Sequence, residues 1–424
     1  MTLSRRELLH LSIATAAGAL APRLSRAQSP SPPGEAPAPI DALRPLLDGV
    51  TPITLDEHRT RLARGQALMR SENLDAIVIA SGSGLEYFTG AEWGLSERFF
   101  GAVVTREGDP AWVTPAFEKA RALEQIQIGT DVRAWEEHES PSALVAAILR
   151  DRKATGRVGI EETMPFTFAN EIGAALPSAR LVSATPVTAG CRVIKDAHEL
   201  ALMRRANEIT MRAHRAVFQS LREGMTQAQA SALSAQAHRK LGMGGGALVL
   251  FGPDAAYPHG TTRPRPLRRG DVVLIDGGGR LNGYASDITR TGVFDAPPTE
   301  RQRHVWDVVR RAQQAAFDAA RPGAEAQSVD AAARRVVDEA GFGPDYKHFT
   351  HRVGHGIGMD GHEWTYFVRG NTTRLRPGMC FSDEPGIYIP GEMGIRHEDC
   401  IFITETGAEN FTKWTGSPEE PAVV

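Results

Sequence analysis

The chain has 424 residues, a length that predicts two domains rather than a single hydrophobic core. Hydrophobic residues make up 42% of it and charged residues 23%, which are the proportions of a soluble globular protein. The formal net charge of −3 provides no basic field, and this argues against nucleic acid or an anionic membrane as the main partner.

The first residues are typical of an export signal. Arg5 and Arg6 precede a short apolar run that ends at small residues, as in a cleavage site. We expect residues 1–27 to be a twin-arginine signal peptide that delivers the protein to the periplasm or beyond, with no membrane contact after cleavage. An uncleaved amphipathic anchor is the alternative. Residues 28–40, rich in proline, serine and alanine, are predicted to form a linker.

The three cysteines give no disulfide framework, because Cys191, Cys380 and Cys400 are few and widely spaced. We expect three buried thiols. Pairing of Cys380 with Cys400 on neighbouring strands is the alternative in an oxidising compartment.

Residues 41–190 are predicted to form an α/β domain, in which short apolar runs such as 76–79 alternate with helical stretches. The polar and aromatic segment 83–90 is interpreted as a packed loop that connects a strand to a helix. In the alternative interpretation, the following Trp93 or Arg98 reaches an active site and restricts the length of the substrate.

Residues 191–424 are predicted to form a larger domain that combines antiparallel strands with amphipathic helices, which makes the chain as a whole α+β. A long helix is expected after the boundary, with three more at 227–241, 301–320 and 328–340. Two hairpins that carry acids alternate with these helices.

The first of these hairpins is predicted in residues 271–292, where an Asn-Gly pair between apolar runs indicates a type I′ turn. The register that this turn sets places Asp276 opposite Thr289 and makes Asp287 a diagonal neighbour of Asp276 on the same face. Two carboxylates on one face predict a cation between them, and a metal ion is the simplest candidate. Two ordinary exposed acids on a solvated face are the alternative.

The second hairpin is predicted in residues 379–404. A three-residue loop at 391–393 would place Glu384 opposite Cys400 and Glu398 diagonal to Glu384, although the proline after Glu384 could introduce a bulge and change the register. A glycine-rich loop between the hairpins contains three histidines that are hard to explain as core residues: His351, His355 and His362.

These residues resemble the pita-bread metallopeptidases, in the branch that contains Xaa-Pro aminopeptidase and prolidase, with creatinase as a relative. The resemblance covers about 192–412 with specific motifs, and 41–190 more weakly as a smaller α/β creatinase-type N-terminal domain. It implies a homodimer and two divalent metal ions. It also implies five metal ligands: Asp276, Asp287, His355, Glu384 and Glu398.

The implied reaction is hydrolysis of the Xaa-Pro bond in proline-containing peptides by a hydroxide that bridges the two ions. The resemblance also implies that the carboxylates of Asp287 and Glu398 bridge the ions. The implied catalytic residues are Glu384 as proton shuttle together with His259, His351 and His362; the implied substrate-binding residues are Tyr388 and Arg396. One imidazole and four carboxylates suit Mn²⁺, Co²⁺ or Fe²⁺, with Zn²⁺ as an alternative. The chain departs from the family pattern at two positions, Asp383 and His397.

Other functions remain open at this point. The same fold could host a creatinase-like amidinohydrolase or a lyase, or it could be a binding protein without catalysis. The choice between aminopeptidase and dipeptidase also remains open. A dipeptidase must hold the free carboxylate of proline, and Arg369 or Arg396 could do so.

Overall fold

The computed structural model describes residues 39–424, so the predicted signal peptide 1–27 and nearly all of the predicted linker 28–40 lie outside the described residues. Ile40, the last residue of that linker, is only 4% exposed and packs in a hydrophobic cluster with Ala206 and Ile209. None of the helices in residues 39–424 combines the length and the apolarity that a membrane span requires.

The first part of the described chain forms a six-stranded sheet flanked by helices. Its strands are β1 (Ala76–Ala80), β2 (Gly101–Thr105), β3 (Ala111–Pro115), β4 (Val132–Trp135), β5 (Arg157–Ile160) and β6 (Arg180–Ser183). Its helices are α1 (Leu55–Ser71), α2 (Ser83–Thr89), α3 (Lys119–Gln125), α4 (Pro141–Asp151), α5 (Phe166–Ala175) and α6 (Thr185–Arg192). The strand order is β4-β3-β2-β1-β5-β6, with β2 antiparallel to both of its neighbours and the other pairs parallel. Strand β1 is buried throughout, as its continuous apolar sequence predicts.

The prediction of a loop at 83–90 is wrong, because residues 83–89 form α2. Leu85 and Phe88 are buried on its inner face, and Gly90 ends the helix in a left-handed conformation with φ 77°. The expected packing of this segment is thus confirmed, and only its helical conformation was missed. Trp93 stacks on the ring of Phe100 with centroids 4.1 Å apart.

The second part of the chain begins after α6, inside which the predicted boundary at 190/191 falls. Its helices are α7 (Ala197–Ser220), α8 (Gln227–Lys240), α9 (Glu300–Ala319) and α10 (Ala326–Glu339). Its strands are β7 (Gly244–Phe251), β8 (Val272–Leu281), β9 (Tyr284–Ala285), β10 (Ile288–Val293), β11 (Gly354–Gly356), β12 (Glu363–Phe367), β13 (Cys380–Asp383), β14 (Gly386–Ile389), β15 (Met393–Arg396), β16 (Asp399–Ile403) and β17 (Ala408–Asn410). The three helices that were predicted with bounds are thus confirmed to within two residues at each end, and α7 is the long helix expected after the boundary.

The first acid-bearing hairpin has the predicted register. Strand β8 pairs with β9 next to the turn and with β10 beyond it, and Asp276 lies opposite Thr289. The turn residues Asn282 and Gly283 have φ 47° and 88°, the positive values that a type I′ turn needs. On its other edge β8 pairs with β7.

The predicted register of the second hairpin is wrong. Ile389 pairs with Met393, so the three-residue loop is 390–392 rather than 391–393. Proline cannot donate to a ladder and fits the second position of a turn, while Gly391, with φ 82°, fits the third. The same register pairs Asp383 with Asp399, and its continuation places Glu384 opposite Glu398.

The two parts of the chain share hydrophobic core. Tyr87 of α2 belongs to one cluster with Tyr284 and Met359 of the second part. The same cluster includes Cys191, Cys380 and Cys400, which are buried free thiols, as predicted. The acid-bearing hairpins therefore rest against the N-terminal half of the described chain.

Candidate functional site

Asp276 is held on β8 by two hydrogen bonds. Its Oδ1 accepts a bond from Thr289 Oγ1 at 2.9 Å, and its Oδ2 accepts one from Arg396 Nη2 at 2.6 Å. Burial acts to raise the pKa of Asp276, but the charge of Arg396 and the bond from Thr289 outweigh it and lower the pKa. Asp276 is therefore a carboxylate, the form that binds metal ions.

Asp287 and Glu398 are brought together by a contact between the two hairpins. Thr289 and Glu398 exchange backbone hydrogen bonds of 3.1 and 3.3 Å, and Thr289 Oγ1 also lies 2.6 Å from Glu398 Oε2. Burial, followed by the charges of the neighbouring acids, raises the pKa of both Asp287 and Glu398 well above its usual range. A bound cation would relieve this accumulation of negative charge.

His355 and Glu384 lie on the other side of this group. The Nδ1 of His355 is 3.0 Å from the carbonyl oxygen of Gly356, a contact in which Nδ1–H donates and leaves the Nε2 lone pair available. That Nε2 lies 3.2 Å from Glu384 Oε1 and 4.0 Å from Asp287 Oδ2. Burial lowers the pKa of His355 to about 3, so the ring is neutral and able to bind a metal, whereas burial raises the pKa of Glu384 to about 7.

The acids and histidines form overlapping sets that could each hold an ion. Within each set the ligand atoms lie within 4.8 Å of one another. The first set is Asp276, Asp287 and Glu398; the second is His355, Glu384 and Glu398; the third is Asp287, His355 and His362. Glu398 belongs to the first two sets, and Asp287 to the first and the third. Carboxylates shared between adjacent sets are the arrangement that two neighbouring hard divalent ions require. The donor set present therefore fits the two ions that the resemblance implies.

A chain of hydrogen bonds lies behind this group. Arg396 donates from Nη1 to the Tyr388 hydroxyl oxygen at 2.7 Å, and that hydroxyl lies 2.8 Å from His351 Nε2. His351 Nδ1 in turn lies 2.7 Å from the carbonyl oxygen of Arg352. Burial and the charge of Arg396 lower the pKa of His351 to about 3, so its Nε2 accepts the proton of Tyr388. Because Arg396 also donates from Nε to Thr289 and from Nη2 to Asp276, each of its three nitrogens already makes a hydrogen bond.

The group opens into a cavity of about 280 Å³. The residues that line it are Pro258, His259, Asp276, Asp287, His351, Arg352, His355, His362, Glu384, Arg396 and Glu398. All five predicted metal ligands, the three predicted catalytic histidines and Arg396 are among them, whereas Tyr388 lies one hydrogen bond behind. His259 and His362 are exposed at the rim, and the ring of His362 stacks on that of His355 with centroids 3.7 Å apart.

Arg352 is a cavity residue that sequence reasoning missed. Its Nη2 lies 3.5 Å from His362 Nδ1, and its guanidinium stacks on the ring of Tyr366 at 4.0 Å. Arg369, one of the two predicted carboxylate-binding arginines, lies outside the cavity, is 59% exposed and bonds Asp345. The sequence signal for Arg352 was its place in the histidine loop, directly after His351.

The loop between His355 and His362 is anchored to the N-terminal half of the chain. Asp360 Oδ2 accepts a hydrogen bond from Ser83 Oγ of α2 at 2.7 Å and lies 3.2 Å from Arg192 Nη2. The next acid, Glu363, accepts a hydrogen bond from Lys195 Nζ at 2.7 Å within the buried core.

The two departures from the family pattern lie on the side of the second hairpin that faces away from the cavity. Asp383 pairs across the ladder with Asp399, whose Oδ1 accepts a hydrogen bond from Arg290 at 2.6 Å. His397 packs against the ring of Trp306 with centroids 4.5 Å apart. Trp93 and Arg98 do not line the cavity either; Arg98 pairs with Glu137 on the surface.

Comparison with known proteins places this site in a family. The model of metallopeptidase family M24 matches residues 201–405, and that of the creatinase/prolidase N-terminal domain matches residues 61–194. The chain is 39% identical over 361 residues to the probable dipeptidase PepE of Mycobacterium tuberculosis, which covers 82% of this chain and 92% of the relative. The chain belongs to metallopeptidase family M24. It has the pita-bread catalytic domain of that family behind a creatinase-type N-terminal domain.

Two further similar proteins agree with this assignment. The Xaa-Pro dipeptidase of Lactobacillus delbrueckii subsp. lactis is 34% identical over 357 residues, which cover 82% of this chain and 95% of that protein. The crystal structure of a prolidase from Thermococcus sibiricus superimposes with a TM-score of 0.77 at 30% identity and covers 84% of this chain and 97% of its own. The resemblance read from the sequence is therefore confirmed at the level of family and fold.

Proposed function

We propose that this M24 metallopeptidase hydrolyses the Xaa-Pro bond of dipeptides with two divalent metal ions. The observation that carries this proposal is a pair of ligand sets that have Glu398 in common. They lie in one cavity, which is also lined by the rim histidines and by the guanidinium of Arg352. The relatives named Xaa-Pro dipeptidase and prolidase support the same substrate class.

Asp276, Asp287, His355, Glu384 and Glu398 would hold the ions, with Mn²⁺ as the expected metal. When bound, two divalent ions lower the pKa of water enough to supply hydroxide near neutral pH and polarise the scissile carbonyl. The protein contributes the orientation of the ligands. Asp276 is fixed by Thr289 and Arg396, and the Nδ1–H of His355 is fixed by a backbone carbonyl, which leaves its Nε2 for the metal.

Glu384 is the group that moves the proton. Ser382 Oγ donates to its Oε1 at 3.1 Å, so Oε2 is the oxygen that can take up a proton and return it to the leaving proline nitrogen. His259 and His362 lie at the exposed rim of the same cavity, where their ring N–H groups can donate to the substrate carbonyl and to the oxyanion that forms from it.

Arg352 favours a dipeptidase over an aminopeptidase. A dipeptide substrate brings its own carboxylate into the cavity, and a guanidinium is the group that binds a carboxylate through two parallel hydrogen bonds. Of the two arginines that line the cavity, Arg396 already donates from each of its three nitrogens, to Asp276, Tyr388 and Thr289. Arg352 has a single contact of 3.5 Å, to His362, and therefore has more donors for a ligand. We assign the proline carboxylate to Arg352 in place of Arg369 or Arg396.

A length series tests the proposal. Protein reconstituted with Mn²⁺ should cleave Ala-Pro faster than Ala-Pro-Ala and longer peptides, and Glu384→Gln should abolish cleavage while it retains most of the metal. Equal or faster cleavage of the longer peptides would make the protein an aminopeptidase. Cleavage of none of them by the metal-loaded protein would reject Xaa-Pro hydrolysis and leave the amidinohydrolase, lyase or binding-protein alternatives.

We also propose that the protein acts as a homodimer, as the resemblance to its family implies, in the periplasm or beyond after removal of residues 1–27. The Arg5-Arg6 pair supports export, since the twin-arginine route carries folded proteins and suits an enzyme loaded with metal in the cytoplasm. Size-exclusion chromatography with light scattering on the mature chain tests the dimer: a mass of one chain at working concentration would refute it.

A further inference from the structure

The metal-ligand candidate Asp287 sits where the ladder of the first hairpin is interrupted. Strand β9 ends at Ala285 and β10 begins at Ile288, so Ser286 and Asp287 lie between two regular strands. The chain here approaches Gly278 so closely that a Cβ at that glycine would lie 1.8 Å from the Ser286 carbonyl oxygen. The backbone of Asp287 must therefore find its hydrogen-bond partners outside the ladder.

Both backbone polar groups of Asp287 meet the same side chain. The thiol of Cys400 donates to the Asp287 carbonyl oxygen at 3.1 Å, and the Asp287 N–H points to the Cys400 sulfur at 3.4 Å. The Cys400 side chain is fully buried, and a neutral thiol can donate and accept at the same time. Cys400 thus replaces the strand partner that Asp287 lacks at this break.

Neighbouring side chains hold the residues on either side of Asp287. Thr210 Oγ1 lies 2.8 Å from Ser286 Oγ, and His214 Nε2 lies 2.9 Å from the Ile288 carbonyl oxygen, to which it donates. These two contacts come from α7 and fix the flanks, whereas Cys400 alone of the three contacts Asp287 itself.

Cys400 also lies two residues after Glu398 on the second hairpin. The two carboxylates that would be shared between the metal ions are therefore carried by segments that this thiol joins directly. A shift of Asp287 relative to Glu398 would change the spacing of the two ligand sets. Because groups behind metal ligands orient them, their loss typically weakens metal binding by about 10- to 100-fold.

We propose that Cys400 is a positioning residue for the metal centre, which fixes the backbone of Asp287 relative to Glu398. The inference rests on the proposed function only in taking Asp287 and Glu398 as metal ligands. It does not depend on the substrate.

The test compares the Mn²⁺ affinity of apo-protein variants by isothermal titration calorimetry. Cys400→Ala should weaken Mn²⁺ binding by about tenfold or more, whereas Cys400→Ser, whose hydroxyl also donates and accepts, should recover most of the affinity. Cys380→Ala is the matched control, because Cys380 is also buried and lies on the adjacent strand β13. The Mn²⁺ affinity of this variant should stay within about threefold of wild type. The thermal midpoint of each apo-protein, measured alongside, identifies a variant that has simply lost its fold.

Two results would overturn the inference: Cys400→Ala that binds Mn²⁺ as tightly as wild type, or Cys380→Ala that loses as much affinity as Cys400→Ala. If Cys400→Ala does not fold, the Mn²⁺ affinity of Cys400→Ser decides alone. A hydroxyl can fill the proposed role, so a Cys400→Ser variant that loses as much affinity as Asp287→Ala would contradict the inference. Wild-type protein that binds no Mn²⁺ would instead contradict the proposed function, so the two failures are distinguishable.

Discussion

Replacement of Arg352 by glutamine should remove the preference of the enzyme for a free proline carboxylate. Arg352 lines the cavity. Its Nη2 lies 3.5 Å from His362 Nδ1, and its guanidinium stacks on the ring of Tyr366. A hydrogen bond to a charged partner contributes about 1.5–3 kcal/mol. At about 1.4 kcal/mol per tenfold, the loss corresponds to a roughly 10- to 150-fold fall in kcat/KM for a dipeptide.

The assay measures kcat and KM for Ala-Pro and for its C-terminal amide, on enzyme reconstituted with Mn²⁺. Wild type should prefer Ala-Pro by about that factor, and Arg352→Gln should cleave the acid and the amide equally, mainly through a higher KM for the acid. Arg369→Gln is the control, because Arg369 is exposed, bonds Asp345 and should leave the preference intact. Wild type indifferent to the amide, or Arg352→Gln impaired equally on both substrates, would refute the assignment.

Three further outcomes are expected. Asp360→Ala should lower kcat by about tenfold at unchanged metal content, because the histidine loop loses its anchor to α2; wild-type kcat in the metal-loaded variant would contradict this. His198 Nδ1 lies 2.7 Å from Glu57 Oε1. Burial acts to raise the pKa of Glu57, but hydrogen bonds with Thr54 and His198 outweigh it and lower the pKa to about 2. Burial acts to lower the pKa of His198, but its contacts with Glu57 and a backbone carbonyl outweigh it and raise the pKa. His198→Asn should therefore lower the free energy of unfolding by up to about 1 kcal/mol. The difference from wild type should be largest between pH 4.5 and 6.5 and should shrink as the pH falls towards 2 or rises through the raised pKa of His198. A difference in urea unfolding that does not vary with pH would refute the pairing. Replacement of Arg5 and Arg6 by lysines should leave the protein in the cytoplasmic fraction, and unchanged periplasmic activity would reject the twin-arginine signal.

The sequence was most informative where local rules determine the structure. The Asn-Gly turn at 282–283 admits positive φ at both positions, and this fixed the register that places Asp276 opposite Thr289. In the second hairpin the proline and glycine at 390–391 carried equally local information, since proline belongs in the turn and not in the ladder. Counting the loop from the glycine displaced the register by one residue on each strand.

Long-range pairing was beyond sequence reasoning. Arg369 and Arg396 were plausible ligands for a carboxylate as isolated arginines, but one pairs with Asp345 at the surface and the other with Asp276 in the core. Within residues 39–424 no acid forms an ion pair with Arg352, whose contacts are with His362 and Tyr366, so its guanidinium remains available. The helix at 83–89 was missed for a similar reason, because its aromatic residues are buried against α1 and the second domain, which no local pattern reveals.

In the proposed function the five clustered ligands hold two metal ions, and these ions are needed to cleave an Xaa-Pro bond. Titration of the apo-protein with Mn²⁺, with Ala-Pro hydrolysis followed at each addition, tests it most directly. We predict negligible activity without metal, with activity that rises to a plateau at two equivalents per chain, and loss of this response in Glu398→Ala, which removes the carboxylate shared by two ligand sets. Hydrolysis of Ala-Pro that is independent of Mn²⁺, or a Glu398→Ala variant that titrates as wild type does, would contradict the account.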